Sequence, residues 1–266
     1  MTIKRVSKPQ KGRSLPRAIN QETKAKRVRP SMPFCVNVYA IITPGSTVNT
    51  AVINNDVATA NRIFTNCGVT IRLRGVFRIT SESFRFRDKE LSCRNLQQSQ
   101  KAQNLIRIRP AGSTRLDIVV YYLGGDTFSD GVGRTVGCHT SRTGITGPSP
   151  SILLTNGISR PNSFILAHEI GHALFFNRTT GRSIDPSPNR DPNDPAHDLI
   201  TSNFMNATVP RTNVTFHPAQ CRGARLSELT RLCASGNKMN RKPVAKKSPP
   251  PTTSKRKGTG KSCGCK

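Results

Sequence analysis

Residues 163–176 read SFILAHEIGHALFF, and nearly every position besides His168, Glu169 and His172 is apolar or small. A helix that is apolar all round belongs in an interior. Two imidazoles and a carboxylate go in with it here, and burying them is costly unless something binds them. Their spacing points to a metal ion. His168 and His172 stand at i and i+4 on one helical face, with Glu169 about 100° further round. From there Glu169 reaches a water on the ion without ligating it. A catalytic zinc site needs a third protein ligand and one open position. The fold must therefore carry another segment over this helix, which is expected to begin near Asn162 or Ser163 as N-cap.

The flanking pattern alternates strands and helices. FCVNVYAII (34–42) reads as a strand. Apolar residues at Val52, Ile53, Val57, Ala60, Ile63 and Phe64 mark a helix stopped by Gly68. VTIRLRGVFRI (69–79) reads as a strand with one wetter face. Residues 80–115 are polar, with a short helix expected near 95–107. RLDIVVYYL (115–123) is the continuous apolar run of an interior strand. The glycine-rich stretch 124–150 reads as a loop leading to a short strand, SILLT (151–155). After the histidine helix, 177–196 is a Pro/Asp/Asn loop, and a last helix fits 218–234, with Pro218 in its first turn and Gly236 beyond its end. This order predicts one α/β domain over 32–235.

Charge marks off the ends. The chain carries 42 Lys+Arg against 14 Asp+Glu, a formal +28. Residues 1–31 are net +9 and 236–266 net +10, leaving +9 for everything between. Both end segments lack apolar periodicity, the second being a Pro/Ser/Thr/Lys tract, so each is expected to be a disordered basic tail. Such tails contact polyanions through charge, and no aromatics interleave to read bases, so nucleic-acid contact would be non-specific. No apolar run reaches transmembrane length, and no signal peptide core stands in the first thirty residues. Six of the eight cysteines, Cys35, Cys67, Cys93, Cys138, Cys221 and Cys233, fall in the expected domain, an even number that suits an extracellular or otherwise oxidising environment. With Cys221 and Cys233 placed on one helix, about 18 Å apart, they cannot bridge each other. The pairing stays open.

The third ligand also stays open on residues alone. Glu228 is the sole glutamate after Glu169, and Asp185, Asp191, Asp194 and Asp198 compete with it. His139, beside Cys138, reads as a loop residue or a secondary site, and His217 as a helix-start residue. The compact spacing HExxHxxGxxH fails, because Phe175 and Arg178 occupy its last two positions and a guanidinium does not ligate zinc. Further on, AHDLITSNFMN sets His197 eight residues before Met205, and TFHPAQCRGARLS follows. Together with HEIGH, these stretches resemble the metzincin-like zinc metalloproteases, in particular the bacterial reprolysin/pappalysin-like group. VATANRIFTNCGVTI resembles the first helix and second strand of that group, so the resemblance runs in order over roughly 34–234.

That resemblance implies a single metzincin-like zincin domain of α/β class, with a mixed twisted sheet, an active-site helix and a C-terminal helix, flanked by the basic tails. It implies Zn²⁺ on His168, His172 and His197, and Met205 in a turn beneath the metal. Glu169 would be general base in a zinc-dependent endopeptidase acting on a peptide or protein substrate. Ile152, Leu153 and Leu154 would form the substrate-lining edge strand. Ala207 stands two residues after Met205, so no tyrosine is placed there to stabilise a transition state. A different class of reading makes the chain a non-catalytic polyanion-binding protein, its basic tails being the function and its zinc structural.

Overall fold

The computed structural model describes residues 33–130, 135–144, 147–158 and 163–233. The elements below lie in one unit that ends at Leu232, and of the second unit, Cys233–Lys266, only Cys233 is described. The segments 1–31 and 236–266, read above as basic tails, lie outside the described residues, as do Asn162 and Gly236.

The apolar run Phe34–Ile42 forms β1, buried at almost every position. The helix α1, Thr50–Phe64, follows it, with the Asn49 side chain accepting from the Val52 amide at 3.0 Å. A 3₁₀ turn, Thr65–Cys67, ends at Gly68 with φ +69°, a left-handed conformation that glycine adopts at no steric cost. This turns the chain directly into β2, Val69–Arg78. A 3₁₀ turn at Leu96–Gln98 and α2, Gln100–Arg107, occupy the place of the expected short helix. Next come β3, Ile118–Tyr122, then β4, Gly137–Gly144, and β5, Gly147–Leu154. The main sheet runs β2-β1-β3-β5-β4, parallel except for β4, so it is mixed.

Both faces of this sheet are covered, which is why its central strands read as unbroken apolar runs rather than alternating ones. Val36, Val38, Ala40 and Ile42 of β1 point into one core with Ile118, Val120, Tyr122, Ile152 and Leu154. Tyr39, Ile41, Val119, Tyr121 and Leu153 point into a second core, built on Leu105 and Ile106 of α2. The first core receives α1 and the histidine helix α3, Ile165–Leu174.

Three expectations change. The glycine-rich stretch 124–150 is not all loop, since it contains β4, which pairs antiparallel with β5 from Gly137↔Leu154 to Gly144↔Gly147. The segment Ile152–Leu154 is consequently not an edge. It lies between β3 and β4 with Ile152, Leu153 and Leu154 fully buried, and its backbone is already paired on both sides. The outer strand on this side is β4. The last helix is also shorter than expected. After the small hairpin of β6, Phe176–Asn177, and β7, Arg182–Ser183, the helix α4 runs only over Pro218–Leu226. Ser227 is extended (φ −60°, ψ 139°), and Arg231–Leu232 form β8, antiparallel to β1. The start of α4 is as expected, with Pro218 in the first turn and a capping box between His217 and Gln220.

Cys67, at the end of the 3₁₀ turn after α1, is bonded to Cys221 on α4, and Cys93 to Cys138 on β4. Each of Cys35 and Cys233 is likewise in a disulfide. Cys233 is not helical, so the reasoning that put it on one helix with Cys221 does not hold. The bonds are compatible with an oxidising compartment. No helix among the described residues is long and apolar enough to cross a membrane.

Candidate metal centre

Every residue of α3 from Leu166 to Leu174 is buried, the two histidines and the glutamate included. His168 and His172, one turn apart, face His197 from the loop beyond β7, and ligand atoms of the three imidazoles all lie within 4.8 Å of one another. The rings sit at centroid distances of 4.5, 4.9 and 5.3 Å.

Hydrogen bonds at Nδ1 set what each ring offers. His168 Nδ1–H donates to the Phe204 carbonyl at 2.8 Å, and His197 Nδ1–H donates to Asp194 Oδ2 at 2.7 Å. A carbonyl oxygen can only accept, so the neutral His168 ring is left with its lone pair at Nε2. His172 Nδ1 lies 3.3 Å from Ser183 Oγ on β7. The Nε2 atoms of His168 and His172 approach to 2.9 Å. Two lone pairs at that distance repel unless a proton or a cation lies between them. Outer partners of this kind fix ring orientation and tautomer in metal sites. Three converging imidazoles are a donor set that can hold a metal ion, and their chemistry fits zinc.

Burial dominates the electrostatics. It holds His168 down to about 4, helped by the neighbouring His197, and holds His172 well below the usual imidazole range. It pushes the Glu169 carboxyl up to about 8. Both effects disfavour the charged forms, so the His168 and His172 rings stay neutral, each with one ring nitrogen free of a proton.

The carboxylates weighed as third ligand have other partners. Asp185 accepts from Gln220 Nε2 at 2.9 Å and from the Ser187 amide at 3.0 Å. Asp191 accepts from the Asn193 amide, Asp194 holds His197, and Asp198 accepts from the Ile200 amide. Glu228 pairs with Arg178 at 3.3 Å on the surface. His217 caps α4, its ring accepting from the Ala219 amide at 3.1 Å.

The loop 177–196, expected to have little regular structure, returns to the helix through specific bonds. The β6–β7 hairpin brings Ser183 beside His172. Backbone bonds then run from Asp185 N to the Pro195 carbonyl, from Asp191 N to that of His197 and from Asp198 N to that of Met205. Gln220 of α4, fully buried, joins the loop to the turn around Met205. Its Nε2 donates to Asp185 and to Asn203 Oδ1, and its Oε1 accepts from Asn203 Nδ2 and the His217 amide. Asn203 Oδ1 also accepts from the Met205 amide. Every polar atom of the Gln220 side chain is thereby used, as burial requires.

Met205 is fully buried and lies against Gly171 of α3, where an added Cβ would run into Met205 Sδ and come within 2.8 Å of Phe204 Cε2. Glycine at 171 is what lets the turn pack under the helix. Gly137 of β4 is required in the same way, since a Cβ there would sit 2.5 Å from Glu169 Oε1 and 2.9 Å from Ile165 Cγ2. His139, two residues along the same strand, is also at the site, its ring 6.4 Å from that of His172. Cys138 between them points the other way, into its disulfide. The three histidines, Glu169, His139 and Ala207 line one cavity of about 990 Å³. Sequence reasoning missed Gly137, Ser183, Asn203 and Gln220 and set His139 aside. A polar loop, a lone hydroxyl and a helix glutamine carry no pattern that distinguishes them.

The sequence matches no family model and no curated protein. Among solved structures, the chain is similar to metalloproteinase-II from Bacteroides fragilis, at 13% identity and a TM-score of 0.47, over 74% of this chain and 54% of that one. The chain thus spans about half the length of that protein.

Proposed function

We propose that the chain is a zinc-dependent endopeptidase of metzincin-like type. The observation that carries this reading is the set of three imidazoles converging within 4.8 Å beside Glu169, in a cleft whose outer strand is antiparallel β4. His168, His172 and His197 would hold the ion, with Met205 packed beneath α3. Zinc bound there supplies Lewis acidity toward a peptide carbonyl and toward water. The chain's own residues do the rest. Glu169 receives the proton of the attacking water on a carboxylate oxygen and delivers it to the departing amide nitrogen. The β4 backbone, rather than Ile152–Leu154, offers an extended substrate a strand to pair with. Asp194, Ser183 and the Phe204 carbonyl keep the imidazoles oriented.

The test is cleavage of an unfolded protein such as casein by the full chain. Zinc-loaded protein is expected to cut internal bonds, to lose at least about 100-fold of that rate on chelation, and to regain it with zinc. Activity indifferent to chelation, or none from zinc-loaded protein, would contradict the proposal.

A further inference from the structure

Successive side chains on a strand alternate between its faces, so Gly137, His139 and Ser141 share one face of β4. That face looks onto α3. Gly137 lies against the Glu169 carboxylate, and His139 pairs across the ladder with Ile152, whose side chain enters the core on the α3 side. His139 therefore stands about 7 Å along the strand from the point opposite Glu169, and beside His172 rather than in the ligand set. Its ring is held from two directions. Phe176 packs edge-on at 6.1 Å, and Ser141 Oγ lies 2.8 Å from Nε2. Among the described residues Nδ1 has no hydrogen-bond partner. When the Ser141 hydroxyl donates to Nε2, the ring's one remaining proton is on Nδ1.

We propose that His139 is a catalytic residue, its Nδ1–H donating to the carbonyl oxygen of the bond being cleaved as negative charge develops there, with Ser141 as the positioning residue that fixes this tautomer. The inference rests on the endopeptidase reading above. It supplies from the edge strand the donor that Ala207 does not provide. An oriented donor in a water-poor site acts mainly on the transition state, so its loss lowers kcat more than it raises KM.

Four variants of the full chain separate this role from packing. His139→Phe keeps a ring against His172 and Phe176 without the donor, whereas His139→Asn puts an N–H close to where Nδ1–H was. With zinc content and KM near wild type, His139→Phe is expected to lose about 100-fold in kcat, and His139→Asn to recover at least about tenfold of it. Ser141→Ala is expected to lower kcat less, and Ser141→Thr, which keeps the hydroxyl, to restore it. The inference is overturned if His139→Phe turns over at the wild-type rate, if its activity and zinc fall together, or if Asn and Phe behave alike. Zinc-loaded wild type that cleaves nothing overturns the endopeptidase reading itself, and this inference with it, a result distinct from any of those.

Discussion

Glu169→Gln is expected to abolish peptide cleavage while leaving zinc in place and the fold intact. The substitution removes a proton acceptor and little else. Glutamine matches glutamate in size, so the gap against Gly137 and Ile165 stays filled. The amide cannot accept the proton of the attacking water, and positioned proton transfer of this kind contributes about 10²–10⁴-fold to rate. A fall of that size in kcat is therefore expected, with the thermal midpoint unchanged or raised, because burial opposes the carboxylate's charge here. Kinetics on an internally quenched peptide, read beside metal content, check this. Near-wild-type turnover by the zinc-loaded variant would remove Glu169 from the mechanism.

The second large effect concerns the frame. Cys67 and Cys221 are 154 residues apart in sequence, and the bond between them joins the 3₁₀ turn after α1 to α4. Closing a loop of that length stabilises the folded chain by about 5 kcal/mol in the chain-entropy account, and measured losses for native bonds usually run about 2–5 kcal/mol. The double variant Cys67→Ser/Cys221→Ser is expected to lose stability in that range in urea unfolding. Because Gln220 adjoins Cys221 and holds both Asp185 and Asn203, zinc affinity is expected to weaken in step. Cys93→Ser/Cys138→Ser opens a shorter loop, 45 residues, and frees β4 instead. Its expected signature is lost turnover with a smaller loss of stability. Equal stability of the first double variant and wild type would refute the role given to the long-range bond.

These effects show where the chain is legible and where it is not. The histidine helix announces itself, because an all-apolar helix with HExxH has few ways to be stable. β1 and β3 are legible for a related reason, since strands buried on both faces need apolar residues at consecutive positions. SILL in β5 has that same character, and the same argument would have made it an interior strand. Resemblance placed it at an edge instead, and the topology moved it inward. β4 escaped notice because an outer strand facing a cleft needs few apolar residues. Its cleft-facing side begins with a glycine and a histidine, and its deeply buried apolar residue, Cys138, is explained by a disulfide. The C-terminal helix was overextended because Leu229 and Cys233 continue an apolar spacing that tertiary pairing of β8 with β1 overrides. His197 was reachable only through its interval to Met205. No local pattern spans the loop before it, whose path is set by backbone bonds and by Gln220.

Metal content tests the account most directly. Zinc measured by mass spectrometry on the purified full chain is expected to be about one ion per molecule, and His197→Ala, with its circular dichroism unchanged, is expected to lose most of it. Wild-type protein that takes up no zinc, or a His197→Ala variant that binds it as tightly as wild type, would contradict the three-imidazole site on which the proposed chemistry stands.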